Sequence, residues 1–214
     1  MSALLANLYL HWFDALFHGA NGPARTGKAK LVRYADDMVA LARQWTPELT
    51  EYIESRLEGK FQLEINREKT RIVDLKEAGA SLDFLGYTFR YDRDLKGRGR
   101  KYLNVIPSEK ALKKAREKLR EMTDSHQCFK PIPDLISEIN RHVKGWASYF
   151  SIGYPISAYW QIDWYVRSRL RQHLRRRSQR PFRPPQGTTL NEHLRKLGLV
   201  SLTAKRTAQL PAHA

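Results

Sequence analysis

Residues 31–41, LVRYADDMVAL, constrain this chain more than any other stretch. Asp36 and Asp37 stand side by side with apolar residues close on both flanks. Adjacent carboxylates repel each other, and burying them is costly. The pair therefore belongs at a tip, where two short strands over 30–35 and 38–43 meet. Two-residue hairpin loops favour Asn-Gly or Asp-Gly, and Asp-Asp lacks the glycine. The residues alone leave two readings open. One is a surface turn. The other is a cation site, because Mg²⁺ takes one or two carboxylates and fills its shell with water and phosphate oxygens.

The neighbouring elements follow from periodicity. Residues 3–18 read as an amphipathic helix with Leu4, Leu5, Leu8, Trp12, Ala15 and Leu16 on the apolar stripe. Asn7, His11, Asp14 and His18 fall on the polar side, and Gly19 with Gly22-Pro23 ends the helix. His11 and His18 read as exposed polar residues, with no partner at metal-ligand spacing. A second helix is predicted from Pro47 to about residue 57, stopped by Gly59. Strands are predicted at 61–65 and 70–74 around a turn at 66–69. A further strand over 82–91 is interrupted by Gly86. A polar turn over 92–100 then leads to a return strand over 101–106.

After Pro107 the character changes. Ser108 is placed to cap a helix, EKALKKAREKLREM, with Leu112, Ala115 and Leu119 on its apolar side. A linker at 124–133 precedes a helix capped by Asp134 and running to about residue 150. Another follows Pro155 to about residue 177. A loop at 179–188 leads to a short helix near 190–197, stopped by Gly198. Charge divides at nearly the same place. Residues 1–99 hold 15 Lys/Arg against 14 Asp/Glu, while residues 100–214 hold 23 against 8, within a chain of net charge +16. Such asymmetry implies a polyanionic partner for the second half, with nucleic acid the commonest and a membrane surface the rival.

No apolar run approaches the roughly 20 residues of a membrane span. Cys128 is the single cysteine, which excludes an intramolecular disulfide and a cysteine-rich zinc site. No secretory signal is visible, and a cytoplasmic protein is expected. The basic half has two notable clusters. Trp146, Tyr149 and Phe150 have the i, i+3, i+4 spacing of a core stripe. Arg167, Arg171 and Arg175 share a helical face and are followed by Arg176 and Arg177, with Lys113 and Lys114 on an earlier helix. Like charges at i, i+4 destabilise a helix slightly, so something anionic is expected to face them. RNA phosphate suits the planar donor fork of arginine.

Several blocks, in order, resemble group II intron-encoded reverse transcriptase/maturases. Tyr34-Ala35-Asp36-Asp37 looks like the Tyr-x-Asp-Asp signature of reverse transcriptases. LLANLYLHWFDALF at 4–17 resembles the segment before it. EKTRIVD at 68–74 and LDFLGYTFR at 82–90 resemble the next two blocks. IPSEKALKKAREKLR at 106–120 resembles the start of the thumb, and INRHVKGWASYF at 139–150 resembles the maturase, or X, domain.

The resemblance implies an α+β fold. Residues 1–106 would be a partial reverse-transcriptase palm of antiparallel strands with helices. Residues 107–214 would be an α-helical thumb/X domain that binds RNA. Asp36 and Asp37 would be the catalytic, metal-binding pair, with Asp36 the more direct Mg²⁺ ligand. Tyr34 and Ala35 would lie beside primer and template. Lys69 would neutralise charge on a triphosphate or pyrophosphate, though it also reads as a solvated turn lysine. Leu85, Gly86 and Tyr87 would grip the primer strand, on a segment that also reads as core. Arg167, Arg171, Arg175, Arg176, Arg177, Lys113 and Lys114 would contact RNA.

The family's fingers and the strand carrying a third carboxylate are not matched by any block. Asp14, on the polar face of its helix, does not replace that carboxylate. The Mg²⁺ site is thus expected to be incomplete and the chain inactive as a polymerase alone. The implied partners are group II intron RNA, a primer-template duplex, and an upstream polypeptide carrying fingers and the rest of the palm. Zinc-bearing nuclease domains of the family use cysteine pairs, which Cys128 alone cannot supply. The other readings are a split polymerase, a stand-alone splicing factor and a decayed gene product.

Overall fold

The computed structural model describes residues 3–94, 100–180 and 182–207. They form a mixed helical and antiparallel-sheet fold in two compact units, 1–72 and 73–214.

In the first unit, helix α1 (Ala3–His18) leads through a short helix α2 (Pro23–Thr26) into strands β1 (Lys30–Tyr34) and β2 (Asp37–Leu41). The strands pair antiparallel with Tyr34 opposite Asp37, leaving Ala35-Asp36 as a two-residue loop. Ala35 has φ of 52°, the left-handed geometry that primed hairpin turns require. Helix α3 (Pro47–Glu54) starts with proline at its first position and runs on into a π-helical turn, Ser55–Lys60. Gly59 lies inside that turn and does not stop the helix. The amide of Phe61 reaches back to the Arg56 carbonyl at 2.9 Å, and the wide turn carries both Leu57 and Phe61 into the core.

The buried stripe of α1 differs from the predicted one. Ala6, Leu10, Phe13 and Phe17 point inward, and Phe13 and Phe17 are fully buried. Leu4, Leu5, Leu8 and Trp12 are exposed. Apolar residues flank the polar stripe of this helix on both sides, so periodicity could not choose which flank is buried. Phe13 and Phe61 meet edge to face at 6.2 Å, and the Tyr9 hydroxyl donates to the Phe61 carbonyl at 2.7 Å.

The strands expected at 61–65 and 70–74 are not formed. Leu63 and Ile65 do pack on the core, but their backbone turns back toward the π-helical segment, through Leu63 N–H to Leu57 O at 2.9 Å. With no described strand beside it, the alternating pattern buries a face without building a ladder. The turn at 66–69 is present, closed by Thr70 N–H to Asn66 O at 2.9 Å.

In the second unit, β3 (Ser81–Phe84), β4 (Tyr87–Arg93) and β5 (Lys101–Pro107) make a three-stranded antiparallel sheet. The stretch expected as one interrupted strand is a hairpin, with Leu85 (φ 50°) and Gly86 (φ 80°) forming a two-residue loop. Positive φ at both positions defines the type I′ turn, which the glycine allows. Part of the predicted 92–100 turn, residues 95–99, lies outside the described residues.

Helices α4 (Glu109–Met122), α5 (Ile132–Tyr149), α6 (Ile156–Arg176) and α7 (Leu190–Lys196), joined by Leu202, build the core of this unit. The Ser108 hydroxyl caps α4 by accepting from Ala111 N–H at 3.2 Å, as expected. Asp134 is not the cap of α5, because the helix begins two residues earlier behind Pro131. Thr189 caps α7 in a reciprocal box with Glu192. A last helix α8 (Leu202–Thr207), not foreseen from the sequence, is anchored by the buried Asp163 of α6. That carboxylate accepts from Leu202 N–H at 3.0 Å and from the Ser201 hydroxyl at 2.6 Å.

The sheet is fastened to α5 at the hairpin loop. The Tyr149 hydroxyl donates to the Leu85 carbonyl at 2.9 Å, and the Tyr87 hydroxyl donates to the Tyr149 carbonyl. Gly153 crosses β5 so closely that a Cβ there would stand 2.2 Å from the Val105 carbonyl oxygen.

Candidate nucleic-acid interface and acidic pair

The acidic pair sits at the tip of the β1–β2 hairpin, and both Asp36 and Asp37 are exposed. Arg33 on β1 fixes the hairpin to α1. Its guanidinium donates to both Asp14 oxygens, the shortest at 2.6 Å, to Asn7 Oδ1 at 2.9 Å and to the Ala35 carbonyl at 2.9 Å. Those hydrogen bonds to Asp14 hold the Arg33 pKa above its usual value. Asp14 is thus paired with Arg33. Arg33 itself was missed from the sequence. Its signal was a cation three and four residues before the two carboxylates, and its partner lies on another element.

The carboxylates of Asp36 and Asp37 are the hard oxygen donors that Mg²⁺ takes. Among the described residues, however, no group of three or more His, Cys, Asp or Glu gathers around a common point. The two carboxylates fit the ion in kind but do not make a full protein donor set.

Tyr34 is exposed at the end of β1, and Ala35 is half-buried in the loop. Lys69 is exposed in the turn at 66–69, its own N–H bonded to Asn66 Oδ1 at 3.1 Å. Leu85 and Gly86 form the second hairpin loop, and Tyr87 beside them is buried. Burial of Tyr87 raises its hydroxyl pKa. Phe150 packs against Tyr87 with ring centroids 5.0 Å apart.

Helix α6 separates its two sides cleanly. Ala158, Tyr159, Ile162, Val166, Leu170 and Leu174 are buried. Arg171, Arg175, Arg176 and Arg177 are exposed, and none of the four is in an ion pair among the described residues. Arg167 is partly covered and lies 3.8 Å from Asp163. Lys113 and Lys114 are exposed on α4.

Arg169, which reads in the sequence as one more member of the arginine run, is instead buried. It donates to Thr123 Oγ1 at 2.9 Å and to the Arg120 and Thr123 carbonyls at 3.3 and 3.4 Å. It therefore closes the C-terminal end of α4, where a cation suits the helix dipole. Of the aromatic cluster, Phe150 is buried and Trp146 packs on the core, as expected, while Tyr149 is exposed. Trp160 and Trp164 are also exposed, at 58% and 67%.

Residues 112–188 match the family model of the group II intron maturase-specific domain. The match runs from α4 through α6 and contains the arginines and lysines just described, and the acidic pair lies outside it. No curated protein matches the chain. None of the described helices is long and apolar enough to cross a membrane.

Proposed function

We propose that this chain, whose residues 112–188 match the group II intron maturase-specific domain, acts as a maturase that binds intron RNA and assists splicing. The observation that carries this reading is the exposed arginine set at the C-terminal end of α6, Arg171, Arg175 and Arg176 with the cap residue Arg177, unpaired among the described residues and inside the matched stretch. Exposed guanidinium groups with no carboxylate nearby are free to take phosphate, and releasing the counterions of RNA supplies the affinity. Arg167, Lys113 and Lys114 extend the basic surface.

We further propose that residues 1–106 derive from a reverse-transcriptase palm and residues 107–214 from its thumb and X domain. On this reading Asp36 and Asp37 are an incomplete Mg²⁺ site, with Lys69 as an accessory cation. Tyr34, Ala35, Leu85, Gly86 and Tyr87 mark where a primer-template duplex would pass. On this reading the chain is inactive as a polymerase by itself, with Asp14 already paired to Arg33 at 2.6 Å. One observation favours a second polypeptide that would restore activity. The exposed apolar face of α1 has the composition of a helix packed on both sides.

The test is splicing of a group II intron transcript at limiting Mg²⁺. The chain should accelerate it, and Arg171→Gln with Arg175→Gln should remove the acceleration. Equal rates for both proteins would contradict the reading. Primer extension by the chain alone, abolished by Asp36→Ala, would overturn its inactivity.

A further inference from the structure

The exposed side of α6 carries more than charge. With 3.6 residues per turn, Trp160, Trp164, Arg167, Arg171 and Arg175 project within a sector of roughly 80° and run about 22 Å along the helix. Trp160 and Trp164 are 58% and 67% exposed, although the opposite face of the same helix is buried throughout. Two neighbouring tryptophans left in water are unusual on a helix with so good a core face, because each gives up a large apolar burial. The one acidic residue of the helix, Asp163, is buried and held by Ser201 and Leu202, so that only Arg167 at the edge of the stripe comes near a carboxylate, at 3.8 Å, while Arg171 and Arg175 have no ion pair among the described residues.

We propose that Trp160 and Trp164 form a stacking platform for unpaired RNA bases, with Arg167, Arg171 and Arg175 holding the adjoining phosphates. The inference rests on the RNA-binding reading and specifies the form of RNA, namely single-stranded segments or loops.

Three arguments select this occupant. Every base has a π-face, so an indole beside a guanidinium takes up unpaired nucleotides with little regard to sequence. Bases within a duplex already stack on each other and offer an indole no free face. A second copy of the chain would set arginine against arginine, in a half carrying 23 Lys/Arg against 8 Asp/Glu, so charge disfavours self-association through this stripe.

The experiment uses the full chain with two labelled probes, an unpaired oligoribonucleotide of mixed sequence and a blunt RNA duplex. Trp160→Leu with Trp164→Leu keeps apolar bulk and removes the large aromatic face. This variant should bind the unpaired probe roughly tenfold or more weakly. Its duplex affinity and its salt dependence should stay unchanged. Trp160→Phe with Trp164→Phe should restore most of the loss, which separates stacking from misfolding.

The inference is overturned if the leucine variant binds the unpaired probe as well as the parent does, if it loses duplex binding equally, or if phenylalanine fails to rescue. It is also overturned if the variant's only effect is loss of a self-associated species. Failure of the parent chain to bind either probe would instead overturn the RNA-binding reading itself, and the stacking proposal with it.

Discussion

At the scale of single residues, the structure rests on buried polar groups that hydropathy does not reveal. His173 is fully buried in α6, with Nδ1 3.3 Å from the Thr123 carbonyl and Nε2 without a partner among the described residues. Burial lowers its pKa below the usual 6.5, and the neighbouring Arg177, Arg169 and Arg176 add to the effect. Burial likewise lowers the pKa of His142.

The unfolded chain therefore takes up protons at these positions before the folded chain does. Their neutral-form stability is intact above pH 6.5 and is lost as pH falls below it. Glu58, Glu192 and Asp124, whose pKa values are held down by hydrogen bonds, act only further down, below the carboxylate range. Thermal denaturation should show the midpoint falling between pH 7 and pH 5, with a weaker fall in His173→Phe. An identical pH profile in the variant would contradict this assignment. At Gly153, with φ of 77° and the Val105 carbonyl in the space of a Cβ, alanine should cost on the order of 1–3 kcal/mol or more in urea denaturation.

At the scale of elements, what was legible depended on whether local pattern and tertiary packing agreed. The β1–β2 hairpin was readable because alternation, the charged tip and strand length all pointed to one turn. Helix α4 was readable because Leu112, Ala115 and Leu119 stand out from a charged background, and the Ser108 cap came with them. Helix α1 was not, because apolar residues flank its polar stripe on both sides and its neighbours decide which flank is buried. The 61–65 segment has a strand's alternation, but a strand also needs a ladder partner, which a local pattern cannot supply.

Arg169 and Arg171 are two positions apart in the same run, yet one caps α4 from the interior and the other faces solvent. Only the packing of α6 distinguishes them. These assignments differ in energy. Phe13→Ala should destabilise the first unit by about 3–5 kcal/mol. Leu8→Gln and Trp12→Gln should each change stability by no more than about 0.5 kcal/mol. Denaturant midpoints would measure both. A large loss in the Leu8 or Trp12 variants would show that their face is covered.

At the scale of the whole molecule, the two halves of the sequence carry different information. The acidic hairpin lies in a half that is nearly neutral in charge, with 15 Lys/Arg against 14 Asp/Glu over residues 1–99. The stretch matched by the maturase-specific domain lies in the strongly basic half. The two compact units divide at Ile72 and Val73, which groups β3–β5 with the helices that follow them. The sequence showed the change in charge at Pro107 but not the Tyr87, Tyr149 and Gly153 contacts that bind the sheet to α5, because those partners lie far apart along the chain.

The claim on which the account turns is that the exposed α6 arginines hold RNA phosphate. The direct measurement is equilibrium binding of the full chain to group II intron RNA across a series of salt concentrations. It would compare the parent with a variant carrying Arg171→Gln, Arg175→Gln, Arg176→Gln and Arg177→Gln. Each lost phosphate contact should reduce the magnitude of the log–log salt slope by roughly 0.7–0.9, so the variant should bind more weakly and with a visibly flatter slope. A variant with the parent's affinity and slope would contradict the account.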